Sequence, residues 1–414
     1  MTLEDRIVAK LAPLVTVRRA ALWSNVFVVV VVLLAAMRMV TSAHPLAEGD
    51  VGGDFRGFYY AGEYARTGQS AHLYDRIEEI LRGGRVETPF MHPPIVALLF
   101  APISYLPYPV ALALFVIASI ACWLFACSIL ERELRDTPAL HETWLVLRFA
   151  PIAYSLAYGQ MTALLAAPLA GFVVSLRRKN DGLAGLALGL LAIKPQMLVG
   201  LMVYLALQRR FRAVIVTIAT GAAVSGASFV VFPEAARTYA RVSSQMLGWS
   251  RIASARPWAQ IGFFRLGTNT FDGIEPLLGT VAGIALVMAA FAWLVVISTK
   301  QTETASREWD LSLAAVLPLS LCLSPYLFHY DAGLFAIAFA LVQHRLARKP
   351  MVADSTYFED ARLSVACFAA GLFFALGPGL SEHAQNLLHV SFGLQPAMLA
   401  LIWAISAVSR ARVR

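Results

Sequence analysis

The chain is poor in charge. Only 14% of its 414 residues are Asp, Glu, Lys or Arg, against 58% hydrophobic, and the mean hydropathy is +0.66. That shortage excludes an ordinary soluble globular protein, in which roughly a quarter of the residues are charged. Cysteine is scarce too. Cys122, Cys127, Cys322 and Cys367 lie inside apolar runs, with no C-x-x-C pair and no metal-ligand spacing, so they read as small core residues. A G-x-S-x-G turn, a Cys/His nucleophile set and a P-loop are all missing, which leaves covalent hydrolase chemistry and direct ATP use without support. Neither a low-complexity tract nor a repeat of fixed period interrupts the chain.

What the sequence has instead is apolar length. Leu22 to Val40 holds only Ser24, Asn25 and Arg38 as strongly polar members, enough to cross a hydrocarbon core roughly 30 Å thick. A cleaved leader with Thr41-Ser42-Ala43 as processing site is the competing view. The long basic stretch before it and the many apolar segments after it favour an uncleaved first span. Further apolar segments lie near 93–107, 109–130, 144–158, 161–176, 183–194, 197–208, 213–232, 275–298, 310–327, 332–344, 362–378 and 387–407. With both termini cytoplasmic the crossings must be even in number, so about twelve is the natural total. The doubtful stretch is 93–130, interrupted by Pro93, Pro94, Pro102, Pro107 and Pro109.

The net charge of +8 is distributed as a topology signal. Basic residues cluster at Lys10/Arg18/Arg19, Arg177-Arg178-Lys179, Arg209-Arg210-Phe211-Arg212, Lys300/Arg307, Arg345/Arg348/Lys349 and Arg410/Arg412/Arg414, each beside an apolar segment. That is the pattern of cytoplasmic loops, and no basic stripe with interleaved aromatics suggests nucleic acid. With those clusters inside, the unusual polar motifs all fall outside: the Asp54 loop, Gly159-Gln160, Ile193-Lys194-Pro195-Gln196 and Tyr326 to Asp331. A first extracytoplasmic loop spans 42–91, with short helices expected over Tyr60–Thr67 and Asp75–Arg82, and a second spans 233–274. The expectation is one membrane domain, 1–414: an all-α polytopic protein with a helical first outer loop.

Asp54, in Asp54-Phe55-Arg56-Gly57-Phe58-Tyr59-Tyr60, carries two readings. A carboxylate at a membrane boundary can act as a general base, an effect of roughly 10²–10⁴-fold. Asp is equally a preferred helix cap. Arg56 can hold a phosphate by its guanidinium fork, or pair locally with Glu63 or Asp75. Arg237, Arg241, Arg251, Arg256 and Arg265 stand outside against the charge bias, as for an anionic head group or an interfacial helix. Lys194 sits in an apolar hairpin. It can snorkel outward, or serve as counter-charge to a leaving phosphate, and the helix-breaking Pro195 beside it favours the second role. His329 and Asp331, two apart, do not share a helix face. Asp54, His92 and His329 could converge on a metal, though no ligand spacing argues for one.

Taken in order, these motifs resemble glycosyltransferase family 87. The resemblance rests on Asp54 with Tyr59-Tyr60-Ala61-Gly62, Gly68 with Tyr74, Pro93-Pro94 with Leu106-Pro107, Gly159-Gln160, Gly185, Ile193-Lys194-Pro195 and Ser324-Pro325 with Tyr330-Asp331. His92 is a departure, since family members commonly place an aromatic before the prolines. The resemblance implies a GT-C-type fold of about twelve transmembrane helices and a catalytic aspartate in the first outer loop, here Asp54. It implies a polyprenyl-phosphate sugar, such as the mannose derivative, as donor, and a glycolipid or glycan as acceptor on the outer face of the inner (cytoplasmic) membrane. Lys194, Arg56, Arg256 and His329 would face the donor phosphate. Tyr59, Tyr60, His92, Gln160, Gln196, Tyr330 and Asp331 would line the substrate pocket. The lipid-linked sugar would be a co-substrate, no resident cofactor or metal is implied, and a divalent ion and protein partners are left open. The main rival is a transporter or flippase for a lipid-linked sugar or another anion.

Overall fold

A computed structural model describes residues 3–14, 52–81, 88–134, 150–249, 259–271, 275–347, 361–374 and 395–411, with single residues 26, 29 and 33. Its helices, in chain order, are α1 (Leu3–Leu11), α2 (Phe55–Arg66), α3 (Asp75–Leu81), α4 (Ala97–Phe100), α5 (Tyr108–Glu133), α6 (Ala150–Tyr158), α7 (Thr162–Arg177), α8 (Asp181–Gly189), α9 (Leu198–Leu207) and α10 (Phe211–Val231). They continue with α11 (Pro233–Trp249), α12 (Phe263–Thr270), α13 (Pro276–Thr299), α14 (Arg307–Cys322), α15 (Phe335–Ala347), α16 (Ala361–Phe374) and α17 (Gln395–Ala411). Among the described residues the only strands are β1 (Gln260–Ile261) and β2 (Leu327–Phe328), paired antiparallel with Ile261 opposite Leu327.

Three of the described helices, α5, α10 and α13, are long and apolar enough to cross a membrane. At 1.5 Å per residue the 26 residues of α5 extend about 39 Å, beyond the roughly 30 Å of a hydrocarbon core. All three keep apolar side chains on the outside, such as Ile117 and Phe125 on α5, Ile215 on α10 and Met288 on α13. In water those faces would be costly; against lipid they are the expected surface. By contrast α14 is buried from Trp309 to Cys322 without a break and packs against α9, α13, α15 and α17 as the central helix.

Polar contacts define two ends of this bundle. At one end Arg177 and Arg178 bind Glu133, Arg177 also binds Asp310, and Arg210 reaches Asp181 at 2.8 Å and the Thr304 hydroxyl at 2.7 Å. The basic clusters at 177–179, 209–212 and 300–307 thus share one face. At the other end Tyr108 donates to the Gly52 carbonyl at 2.6 Å and Ile95 N–H donates to Ser228 Oγ at 3.2 Å.

Several sequence expectations need correction in detail. The 93–107 stretch forms no single helix: it breaks into turns at Pro94–Val96 and Ile103–Tyr105 around the four-residue α4. Prolines that cannot donate N–H groups divide it. The first loop helix begins at Phe55 rather than Tyr60, and a 3₁₀ turn, Ser70–Tyr74, precedes α3. The second polar stretch, for which an interfacial helix is one of the two readings, holds α11 and α12 among its described residues. Most of the expected first span, 22–41, lies outside the described residues.

Candidate active site

Asp54 occupies the N-cap position of α2, but its backbone is already helical (φ −70°, ψ −24°) and its side chain makes no capping hydrogen bond. The capping reading therefore fails. Its carboxylate instead accepts a hydrogen bond at Oδ2 from Gln160 Nε2, at 2.8 Å, across 106 positions of sequence. The backbone explains the meeting. Gly52 and Asp54 donate their N–H groups to the carbonyls of Ala157 and Tyr158, at 2.6 and 3.1 Å, at the C-terminal end of α6 where carbonyls lack helical partners.

That helix closes in a Schellman turn. Gln160 N–H returns to the Ser155 carbonyl at 2.8 Å, Gly159 N–H to Leu156 at 3.2 Å, and Gly159 takes the left-handed conformation the turn needs (φ +71°). A Cβ at 159 would lie 2.7 Å from Phe55 Cβ, so glycine is required by conformation and by space together. The Gly159-Gln160 motif is thus the means by which α6 delivers an amide to Asp54. The amide points its nitrogen at the carboxylate, since its oxygen there would be repelled.

Lys194 stands at the break between α8 and α9, flanked by 3₁₀ turns at Leu190–Ile193 and Pro195–Met197. Its ammonium binds Asp331 Oδ1 at 2.7 Å, and both side chains are buried, 7% and 1% exposed. Thr162 Oγ1 donates to the same oxygen at 2.7 Å, and the Phe328 N–H reaches Oδ2 at 3.3 Å. Burying two charges is costly unless their remaining hydrogen-bond capacity is met, which these donors do. Thr162 lies two residues beyond Gln160, so one short segment contacts both Asp54 and Asp331.

Around this core, His92 Nδ1 lies 3.0 Å from the Ile193 carbonyl, and Tyr74 donates to the His92 carbonyl at 2.6 Å. Burial first, and the nearby Lys194 charge second, lower the His92 pKa to about 4, so the ring is neutral and donates from Nδ1. Arg56 stacks over the Tyr108 ring at 5.8 Å, and Asp54, Arg56 and Tyr60 all act electrostatically on the Tyr108 hydroxyl. Tyr59 donates to the Leu106 carbonyl at 2.9 Å, and Tyr60 carries the Arg76 guanidinium 5.0 Å above its ring. His329 packs edge-on against Tyr154 and Tyr158, with ring centroids 5.3 and 5.6 Å away, and against Tyr330, whose ring lies 5.5 Å from Lys194 Nζ. Gln196 is half-buried in the turn after Lys194.

Four of the motifs singled out in sequence thus meet at the end opposite the basic clusters: the Asp54 loop, Gly159-Gln160, Lys194 and Tyr330-Asp331. Arg251 and Arg256 lie outside the described residues. Arg241 is bound to Glu78 of α3, and Arg265 is buried. Among the described residues no group of three or more His, Cys, Asp or Glu side chains gathers at metal-binding range, so Asp54, His92 and His329 do not form a ligand set. Thr162, Tyr108 and the Tyr154/Tyr158 pair escaped sequence reading. The four-residue spacing of the two tyrosines just before Gly159 was the available signal.

The model of glycosyltransferase family 87 matches residues 90–325, more than half the chain. The chain belongs to glycosyltransferase family 87. It is therefore a glycosyltransferase, built on apolar helices, and membership is consistent with the GT-C superfamily. Comparison with curated proteins and with solved structures gave no match. The family 87 match takes in Gln160, Thr162 and Lys194. Asp54 precedes it and Asp331 follows it; each is tied to the matched region by a side-chain hydrogen bond.

Proposed function

We propose that the protein transfers a hexose, mannose being the first choice, from a polyprenyl-phosphate carrier to a hydroxyl of a glycolipid or glycan. The chain is read as one membrane domain with about twelve crossings in the inner membrane, its reaction on the extracytoplasmic face. The observation that supports this reading best is the Asp54 carboxylate. It is unused as a cap, steadied by a neutral amide, and placed at the same end as the buried Lys194 ammonium.

In the step itself the acceptor O–H gives its proton to an Asp54 oxygen as the acceptor oxygen bonds to the anomeric carbon. The bond from that carbon to the phosphate oxygen breaks, and its electron pair leaves with the lipid phosphate. Attack from the face opposite the phosphate inverts the anomeric centre. Lys194, with Arg56, Arg256 and His329, stabilises the charge that develops on the departing phosphate. Asp331, itself held by Thr162, keeps Lys194 in place until the phosphate draws it away. Tyr59, Tyr60, His92, Gln196 and Tyr330 shape the sugar and acceptor pocket. No redox cofactor is called for, because no electrons enter or leave.

The test is reconstitution in proteoliposomes with polyprenyl-phosphate hexose and a glycolipid acceptor, read by mass spectrometry of the product. A new hexose on the acceptor, lost in Asp54→Asn, is the expected result. Movement of the lipid-linked sugar across the bilayer with no glycosidic product would instead favour the flippase reading.

A further inference from the structure

The Asp54 carboxylate is held by an amide from an entirely different part of the chain, and the way that amide is built suggests a defined task. Gln160 is buried, at 7% exposed, and its main chain is committed on both sides, N–H to the Ser155 carbonyl and C=O to the Ser155 hydroxyl. The left-handed Gly159 before it and Thr162, bound to Asp331, after it leave the segment little freedom. The side-chain nitrogen meets Oδ2 of Asp54 at 2.8 Å, while the helix N–H groups that a capping carboxylate would take are not bonded to it. A neutral N–H donor at one carboxylate oxygen does two things. It fixes the rotation of the carboxylate, and it favours the ionised form without adding a charge that would compete for the donor phosphate.

We infer that Gln160 is the positioning residue of the general base: it orients Asp54 through Oδ2 so that the other oxygen faces the acceptor hydroxyl, and it keeps the carboxylate ionised. This deepens the reading of Asp54 as base and rests on it. Among the described residues, Arg56 and Tyr60 from α2 act with Asp54 on the Tyr108 hydroxyl of α5, and Tyr158 at the end of α6 meets the Asp54 N–H through its carbonyl. Arg56 is the one cation in that set. It belongs to the same helix and stays in place when residue 160 is changed.

The experiment compares the wild type with Gln160→Met and Gln160→Glu, each as the full chain in proteoliposomes with polyprenyl-phosphate hexose, over a range of pH. Gln160→Met keeps the length and removes the donor. Gln160→Glu keeps the shape and replaces the donor with a second carboxyl. Loss of the donor raises the pH at which Asp54 ionises, and a second carboxyl sharing the site raises it further. The acid limb of kcat/KM is expected to move up by about one to two pH units in Gln160→Met and further in Gln160→Glu. At the pH optimum kcat of Gln160→Met falls about ten- to a hundredfold with KM little changed. The position of the acid limb does not depend on how much protein folds, so a purely structural role would lower activity without moving it. An acid limb unmoved in both variants overturns the inference while leaving Asp54 as base. Transfer retained in Asp54→Asn, run alongside, overturns the reading of the base itself.

Discussion

Lys194 and Asp331, 137 positions apart, form a buried ion pair of 2.7 Å at the end of the bundle that also holds Asp54. The ammonium is not an idle charge awaiting a ligand: a carboxylate neutralises it, and that carboxylate is itself held by Thr162 and by the Phe328 N–H. A phosphate arriving there must compete with Asp331 for it.

Breaking that pair separates stability from chemistry. Lys194→Met alone leaves Asp331 buried and unpaired, and is expected to cost about 3–5 kcal/mol. The double variant Lys194→Met/Asp331→Leu should recover most of the lost melting temperature in detergent while transfer stays absent. Transfer restored by the double variant would remove Lys194 from the reaction.

Asp54→Asn preserves the shape of the side chain and its contact with Gln160 but cannot take a proton. Its kcat should fall by roughly 10²–10⁴-fold with donor binding retained. Equilibrium binding of a labelled polyprenyl-phosphate hexose, measured beside turnover, distinguishes a lost base from a lost site.

His92 predicts an acid-sensitive stability. Its folded pKa, about 4, lies below the 6.5 of the free side chain, so between those values the unfolded chain binds the extra proton. The contribution is complete above about pH 6.5 and is lost as pH falls toward 4, a change on the order of a few kcal/mol. Melting temperature in detergent should drop over that window in the wild type, and His92→Phe, which keeps a ring but no titration, should flatten that part of the curve. An unchanged slope would mean another group is responsible.

Gly159→Ala should damage the site through the backbone. The new methyl meets Phe55 Cβ at 2.7 Å in a conformation L side chains disfavour, so α2 and α6 must part. A loss of about 1–3 kcal/mol is expected, with transfer falling by more than the loss of folded protein explains. Thermal melting and turnover on the same preparation give both numbers.

Arg177→Ala tests the opposite end. Arg177 bridges Glu133 of α5 and the fully buried Asp310 of α14, far from Asp54. Removing it takes the cation from a buried ion pair, and a cost of about 3–5 kcal/mol should appear in melting. The pH profile of the remaining activity should be that of the wild type.

Much of this was legible along the chain, because hydropathy and the siting of basic residues are local properties. The apolar lengths announced α5, α10 and α13, the basic clusters marked one face, and Asp54, Gln160, Lys194 and Asp331 stood out as polar groups where lipid is near. The proline-rich 93–107 stretch could be marked as doubtful, yet that it forms no single helix depends on how its turns pack. The role of Thr162 was invisible, since a threonine at a helix start has no need of a distant partner.

By itself the sequence determined the class of protein, the apolar helices and the residues worth watching, for these follow from composition and spacing. Only the tertiary structure decided who meets whom. Asp54 could have capped its own helix, and nothing local said otherwise. It binds Gln160 because the unpaired carbonyls at the end of α6 draw in the Gly52–Asp54 backbone, and Gly159 lets the two chains touch. Pairings across more than a hundred residues come from packing, and packing is where the candidate site was made.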